Sequence, residues 1–209
     1  MTMVTKYRKK VYRKPTTKVN LVKLQRDVRQ LKSYDETKYY DYTITGESES
    51  ATTNAFEIFS AIVQGTERQQ RVGLKIHVIG IYFSYIWVWP VSDGYNLTRM
   101  TFAQAKAGGT GLVTADFING NVQSNFALTQ NNEKMNVHYE KIIAGSCVSS
   151  NFNKIVRGTK YIKFNKTIGY DDATAIPKQN PLYFAICSDS VIINHPTCSY
   201  NIRVMYKDS

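Results

Sequence analysis

The chain has 209 residues, and 27 lysines and arginines against 16 acidic residues give it a net charge of +11 at pH 7. Hydrophobic residues make up 43% of the chain, which excludes an intrinsically disordered protein. No apolar run reaches the roughly 18 residues that a membrane-spanning helix needs, so we expect no stable membrane insertion. The 15 tyrosines suit strands, and the composition therefore favours a β protein.

The positive charge is concentrated at the N-terminus. Eleven basic residues and a single acid, Asp27, lie between Met1 and Lys32, so this segment carries +10, and the remaining 16 basic and 15 acidic residues carry +1. Folding alone gives no reason for this segregation, whereas a polyanionic partner does.

Residues 1–18 are predicted to form a basic arm that is too charged to fold alone. Lysines and arginines release counterions when they meet phosphates, and tyrosines can stack on unpaired bases. The predicted nucleic-acid contacts are Lys6, Tyr7, Arg8, Lys9, Lys10, Tyr12, Arg13, Lys14 and Lys18. The alternatives are a solvated tail and a nuclear localisation signal, and the signal can overlap the contacts.

Residues 19–33 are predicted to form a short amphipathic helix. Leu21, Leu24, Val28 and Leu31 follow a 3-4-3 spacing that places them on one stripe. The basic residues largely off this stripe are predicted to contact nucleic acid: Lys23, Arg26, Arg29 and Lys32. Such a short helix needs a surface for its leucines, for which the candidates are the underside of a protein shell, copies of itself or a membrane. We favour the shell.

From residue 34 to 209 the pattern changes to strands separated by turn signals. Gly80 predicts a bend or bulge within the long apolar segment, and residues 105–131 are predicted to be rich in loops. The predicted strand segments are 38–45, 56–59, 74–89, 98–104, 137–144, 158–165, 182–187 and 200–206. This pattern predicts an all-β fold, a single eight-stranded jelly-roll sandwich.

Catalytic chemistry is not indicated. His77, His138 and His195 are widely spaced and form no paired-histidine motif, so we expect no metal, no cofactor and no enzymatic activity. The three cysteines, Cys147, Cys187 and Cys198, lack metal-type spacing. Without a recognisable signal peptide, free thiols are favoured over a Cys187–Cys198 disulfide.

One segment of the chain resembles a known family. Residues 62–76, IVQGTERQQRVGLKI, resemble the Q-G-T…Q-R-V-G-x-K-I segment of capsid proteins from CRESS-DNA viruses, the circovirus-like viruses with circular, Rep-encoding single-stranded DNA. Shorter matches follow the family order, and residues 92–135 match least. These matches are 28–33, 36–41, 139–141, 160–164 and 182–190.

The resemblance implies a capsid protein with one jelly roll that forms a small icosahedral T=1 shell, commonly of sixty copies. It further implies a packaged single-stranded DNA genome, a place in the virion and assembly in the host nucleus. Arg71 and Lys75 flank a predicted strand and are candidate interior contacts to phosphate; equally, they cap the shell edge or pair with acids of a neighbouring copy. Nothing in the motifs identifies a host receptor. The alternative is a monomeric host nucleic-acid-binding β-sandwich with a basic tail.

Overall fold

The computed structural model describes residues 21–35, 37–49, 54–91, 95–106, 112–117, 133–146, 152–171, 176–190 and 195–208. The chain divides into two compact units, residues 1–36 and residues 37–209. The predicted basic arm, residues 1–18, lies outside the described residues.

The first unit contains helix α1, Leu21–Asp35, where the sequence predicted residues 19–33. Its apolar side chains are largely exposed: Leu21 is 67% exposed, Leu24 is 50% exposed and Val28 is 44% exposed. The three described residues of the predicted stripe are therefore exposed, while the side chain of Leu31 lies outside the described ones.

The second unit is built from two antiparallel sheets that pack as a β-sandwich. The five-stranded sheet has the order β1-β9-β3-β6-β7 and the four-stranded sheet the order β2-β8-β4-β5. The strands are β1 Lys38–Ser48, β2 Asn54–Glu57, β3 Lys75–Trp89, β4 Tyr95–Ala105, β5 Met135–Ser146, β6 Lys154–Tyr170, β7 Pro177–Gln179, β8 Leu182–Ser188 and β9 Thr197–Asp208.

Eight of these strands overlap the predicted segments, and β7 is additional. β7 has three residues and pairs with β6 only at Gly169 and Tyr170, so it is too short to produce a visible alternation in the sequence. A 3-10 turn, Phe59–Ala61, and a single helical turn, α2 Thr114–Phe117, complete the regular structure of the described residues.

The core lies between the two sheets and is rich in aromatic residues. Phe83 of β3 contacts both Phe102 and Phe184 of the opposite sheet, with ring centroids 5.0 Å and 5.3 Å away. Trp87 and Trp89 are fully buried on the same face of β3. These inward residues recur at every second position, which is the period of a strand with one buried face. A smaller apolar cluster, which includes Leu112 and Phe117, packs on small residues of β4 and β8.

The predicted bulge at Gly80 is confirmed. The register of β3 shifts between Val78 and Gly80 against both neighbouring strands. Buried positions change there from even to odd numbers, because Ile76 and Val78 are buried before the bulge and Ile81 and Phe83 after it. Relative to β9, β3 has one additional residue here, which lets it keep its apolar side chains inward along its whole length. Relative to β6, the additional residue is in β6.

Cys187 and Cys198 are both buried, and they lie on strands of different sheets. The alternative Cys187–Cys198 disulfide is not formed. Cys147 lies outside the described residues.

Candidate nucleic-acid interface

The predicted contacts of the arm and helix fall mostly outside the described side chains. All nine arm residues precede residue 21. Lys23 and Arg26 are exposed on α1, whereas for Arg29 and Lys32 the structure describes the helical backbone alone. Nucleic-acid binding by these residues stays a prediction.

Arg71 is fully buried. Its guanidinium carbon lies 4.0 Å from the ring centroid of Tyr170, and its Nη1 donates a hydrogen bond to the carbonyl of Gly73. The Arg71 backbone amide donates to the carbonyl of Val63 over 3.1 Å, and its own carbonyl accepts from Gly65 over 2.9 Å. A desolvated cation over an aromatic face is a strong cation–π pair. This placement favours a role in closing the 63–73 loop over contact with phosphate.

Lys75 is exposed at the first position of β3 and is not brought together with Arg71. It lies directly opposite Gly169 of β6, on the face of the five-stranded sheet that points away from the core. Unlike Arg71, it can meet an external anion.

The strongest positive charge in the described structure is on β6. This strand carries Lys154, Arg157, Lys160, Lys163 and Lys166 and no acid, a formal +5. The rest of the chain beyond Lys32 holds 11 basic and 15 acidic residues, a net −4. The sequence interpretation overlooked this strand, because the sum over the whole body is nearly neutral. The signal was the basic residue at every third position, without an interspersed acid.

A three-residue spacing on a strand distributes the cations to both faces. The even-numbered lysines lean towards the four-stranded sheet, since Lys154 Nζ lies 3.4 Å from the Ala144 carbonyl and Lys166 Nζ hydrogen-bonds Gln104 Oε1. The odd-numbered Arg157 and Lys163 lie on the outer face of the five-stranded sheet, opposite Ile86 and Gly80.

Lys141 of β5 joins the even-numbered lysines at this edge, and we call the four residues Lys141, Lys154, Lys160 and Lys166 the lysine seam. Lys160 and Lys141 contact tyrosine rings across the two sheets, with Nζ 5.8 Å from the Tyr139 centroid and 5.7 Å from the Tyr85 centroid. Among the described residues, none of the four ammonium groups forms an ion pair with an acid.

Neighbouring side chains shift the pKa of one lysine of the seam, Lys141, and of the nearby His138. The Tyr85 hydroxyl beside Lys141 raises the pKa of that ammonium. Burial, together with the nearby Lys166, lowers the pKa of His138, whose Nε2 lies 3.2 Å from Gln104 Oε1. At neutral pH Lys141 is therefore charged and the neighbouring His138 is neutral.

An edge strand can also carry lysines to prevent pairing with other strands. β7 covers β6 at only two residues, so most of β6 is the free edge of its sheet. This role accounts for lysines on the strand but not for the lack of acids that pair with them in the described part of the chain. A surface for a polyanion accounts for both.

The described residues offer no assembled metal centre, because they contain no group of three or more His, Cys, Asp or Glu side chains suited to holding an ion. The histidines lie apart: His77 contacts Thr167 and Asn165, and His195 contacts Ser190. Within the same residues, no helix is both long and apolar enough to cross a membrane.

Comparison with protein-family models and with curated protein sequences gives no match. Comparison with solved structures finds similarity to a chain from a structure of Desmodium yellow mottle tymovirus. The two chains are 11% identical, the similarity covers 82% of this chain and 86% of that chain, and the TM-score is 0.35. This similarity is too low to assign the chain to a family.

Proposed function

We propose that this chain is a viral capsid protein that self-assembles into a small closed shell and packages single-stranded nucleic acid. The observation that carries the proposal is the distribution of charge on a β-sandwich. The N-terminal segment carries +10 and β6 carries +5, while the rest of the chain carries −4. Apart from β6, the body carries a small negative net charge, so copies of it can come into contact without strong repulsion. The basic N-terminal segment and β6 remain available to a polyanion.

The strand order supports a jelly roll for the sandwich. With the short β7 set aside, the sheets have the orders β1-β9-β3-β6 and β2-β8-β4-β5. The chain crosses from one sheet to the other at every step except that between β4 and β5. Two sheets of four strands wound in this way form a jelly roll, an architecture that recurs in viral capsid domains. Because one fold serves many functions, the fold alone does not carry the proposal.

An apolar patch at one end of β3 and β6 supports self-association. Ile86, Val91, Phe152 and Ile155 are 46%, 42%, 80% and 64% exposed. Val88 lies opposite Ile155, and the Val91 amide hydrogen-bonds Asn153 Oδ1, so these residues lie near one another where β3 ends and β6 begins. A second copy of the chain would bury this apolar area in a symmetric contact.

In the proposed virion, sixty copies form a T=1 shell around a single-stranded DNA genome. The arm and helix face inwards, so that sixty segments of +10 bring about 600 positive charges to the lumen. The arm also serves as a nuclear localisation signal, which directs assembly to the host nucleus. The protein acts without a cofactor and catalyses no reaction.

Electron microscopy of the purified protein tests assembly. We expect closed virus-like particles of uniform diameter whose absorbance ratio at 260 and 280 nm reveals nucleic acid. A chain that remains monomeric at high concentration while binding nucleic acid would instead support the host β-sandwich protein.

Deletion of residues 1–18 tests whether the arm packages nucleic acid while the body forms the shell. We expect the shortened protein to assemble but to package much less nucleic acid at physiological salt. Unchanged packaging would contradict the role of the arm.

A further inference from the structure

Four outward side chains form one row across the five-stranded sheet, with one residue from each of four adjacent strands. Asp41 of β1 lies directly opposite Arg203 of β9, Arg203 opposite Tyr82 of β3, and Tyr82 opposite Tyr161 of β6. We call these residues the tyrosine row. It runs perpendicular to the strands on the face that points away from the core.

The two tyrosines present an aromatic surface to the outside. Their ring centroids are 4.8 Å apart, and Tyr82 and Tyr161 are 52% and 41% exposed. Cross-strand aromatic pairs stabilise sheets, which is one reason for such a pair. Stabilisation does not require the rings to remain half-exposed, whereas a stacking partner does.

The residues around the rings provide the charge and shape of a binding surface. Arg203 is held by Asp41 through two hydrogen bonds of 2.7 Å and 2.8 Å. Lys163 and Arg157 follow Tyr161 on either side along β6, at about 7 Å and about 13 Å given the rise of a strand. Neither forms an ion pair with an acid among the described residues.

Two grooves meet on this face. One has a volume of about 620 Å³ and is lined by Tyr39, Tyr82 and Arg203. The other has a volume of about 570 Å³ and includes Arg157. Both are lined by Ser84, Thr159 and Asn201, so they form one continuous depression with polar groups at its centre.

We propose that the tyrosine row and the adjoining grooves form a binding site for single-stranded nucleic acid in the folded body. Unpaired bases stack on Tyr82 and Tyr161, and the backbone phosphates meet Lys163 and Arg157. The site selects single strands, because the faces of paired bases are already covered by their neighbours. The inference depends on the proposed function for the class of ligand, but it assigns binding to the body and not to the arm.

Photo-cross-linking of the full-length protein to an oligothymidine that contains 5-iododeoxyuridine tests the site directly. We expect cross-linked peptides that contain Tyr82 or Tyr161 in addition to peptides from the arm. Cross-links confined to residues 1–32 would overturn the inference and leave the proposed function intact. Absence of any nucleic-acid binding would overturn both.

Affinity measurements on full-length variants give a second readout. We expect Tyr82→Ala/Tyr161→Ala to weaken single-strand binding about tenfold and to leave duplex binding within twofold. Tyr82→Phe/Tyr161→Phe keeps both rings and should bind like the wild type. Lys178→Gln removes an exposed cation on β7 as the matched control.

Single-strand and duplex affinity that fall equally in Tyr82→Ala/Tyr161→Ala would argue against stacking. If this variant does not fold, Tyr82→Leu/Tyr161→Leu keeps apolar bulk on both strands and carries the same expectation. The cross-linking experiment uses the wild-type chain and does not depend on either variant.

Discussion

Tyr161 lies over Gly80 so closely that a Cβ atom on Gly80 would fall 2.4 Å from the Tyr161 hydroxyl oxygen. The ring of one strand thus occupies the space left free by the glycine of the next, at the point where the register between β3 and its neighbours shifts. This contact holds one half of the exposed tyrosine pair in position.

Substitution Gly80→Ala is expected to lower the free energy of unfolding by about 1–3 kcal/mol, because the new methyl group must displace Tyr161. Urea unfolding provides the measurement, with Ser84→Ala on the same face of β3 as the control. In a Tyr161→Ala background the cost of Gly80→Ala should largely disappear. If Gly80→Ala lowers the free energy of unfolding equally in the presence and absence of Tyr161, strain in the bulge and not the tyrosine explains the lower stability.

Glu49 is expected to make the stability of the body depend on pH. It is fully buried, and its carboxylate oxygens have no hydrogen-bond partner among the described residues. Burial, and then the nearby Glu47, raise the pKa of Glu49 to about 8, compared with 4.5 ordinarily. The native state therefore holds a proton that the unfolded chain releases above about pH 4.5. The contribution of protonated Glu49 to the free energy of unfolding is fully present below about pH 4.5 and is lost as the pH rises towards 8.

Substitution Glu49→Gln keeps the shape of the side chain and removes this titration. The variant should be more stable than the wild type at pH 8, by on the order of 3 kcal/mol, and nearly equal to it at pH 4.5. Urea midpoints at several pH values measure the difference, and the exposed Glu67→Gln is the control. Part of the decrease in stability with rising pH should persist in the variant, since burial also raises the pKa of Glu57 to about 7. A slope unchanged by the substitution would contradict the assignment to Glu49.

Arg71 and Lys75 are expected to respond oppositely to substitution. Arg71→Ala removes a buried guanidinium and its stacking on Tyr170, and should lower the free energy of unfolding by about 2–4 kcal/mol. Lys75→Ala removes an exposed side chain and should change the free energy of unfolding by less than about 0.5 kcal/mol. Nucleic-acid affinity of the folded variants should fall for Lys75→Ala alone. Lower affinity of a stable Arg71 variant would restore the phosphate-contact interpretation.

The charge of β6 should appear in the salt dependence of binding. Each phosphate contact adds about 0.7 to the slope of log affinity against log salt for a single strand. Arg157→Gln/Lys163→Gln should therefore reduce the slope by about 1.4, while Lys178→Gln leaves it unchanged. Titration of an oligothymidine at several salt concentrations measures both values. Identical slopes would indicate that Arg157 and Lys163 make no contact with phosphate.

The positions of the strands could be predicted because the signal for a half-buried strand is local. Ile162 and Phe164 are buried and Tyr161 and Lys163 are exposed, in agreement with the period-two alternation of apolar and polar residues within the predicted strand segment 158–165. The bulge was also predicted from a local feature, the glycine at position 80 within an apolar segment. β7 could not be predicted, since three residues with one pairing partner leave no periodic pattern.

The candidate site was only partly predictable. The basic residues of β6 are visible in the sequence at a spacing of three. Because side chains on one face of a strand recur at every second position, a spacing of three does not indicate a charged face. It becomes interpretable once β6 is known to be a sheet edge whose two faces both carry cations. Arg71 was predicted to contact phosphate, to cap the shell edge or to pair with a neighbouring copy, because it flanks the start of a predicted strand. Its burial depends on Tyr170, 99 residues later in the chain.

By itself, the sequence determined the β class of the body, the positions of most strands along the chain and the concentration of charge at the N-terminus. Propensity, alternation and charge are properties of residues that are close in sequence. Only the tertiary structure decided which strands are adjacent and which side chains therefore share a face. Asp41 and Arg203 are 162 residues apart in the chain, yet they lie in one row with Tyr82 and Tyr161. Such rows depend on the register between distant strands, which no local pattern encodes.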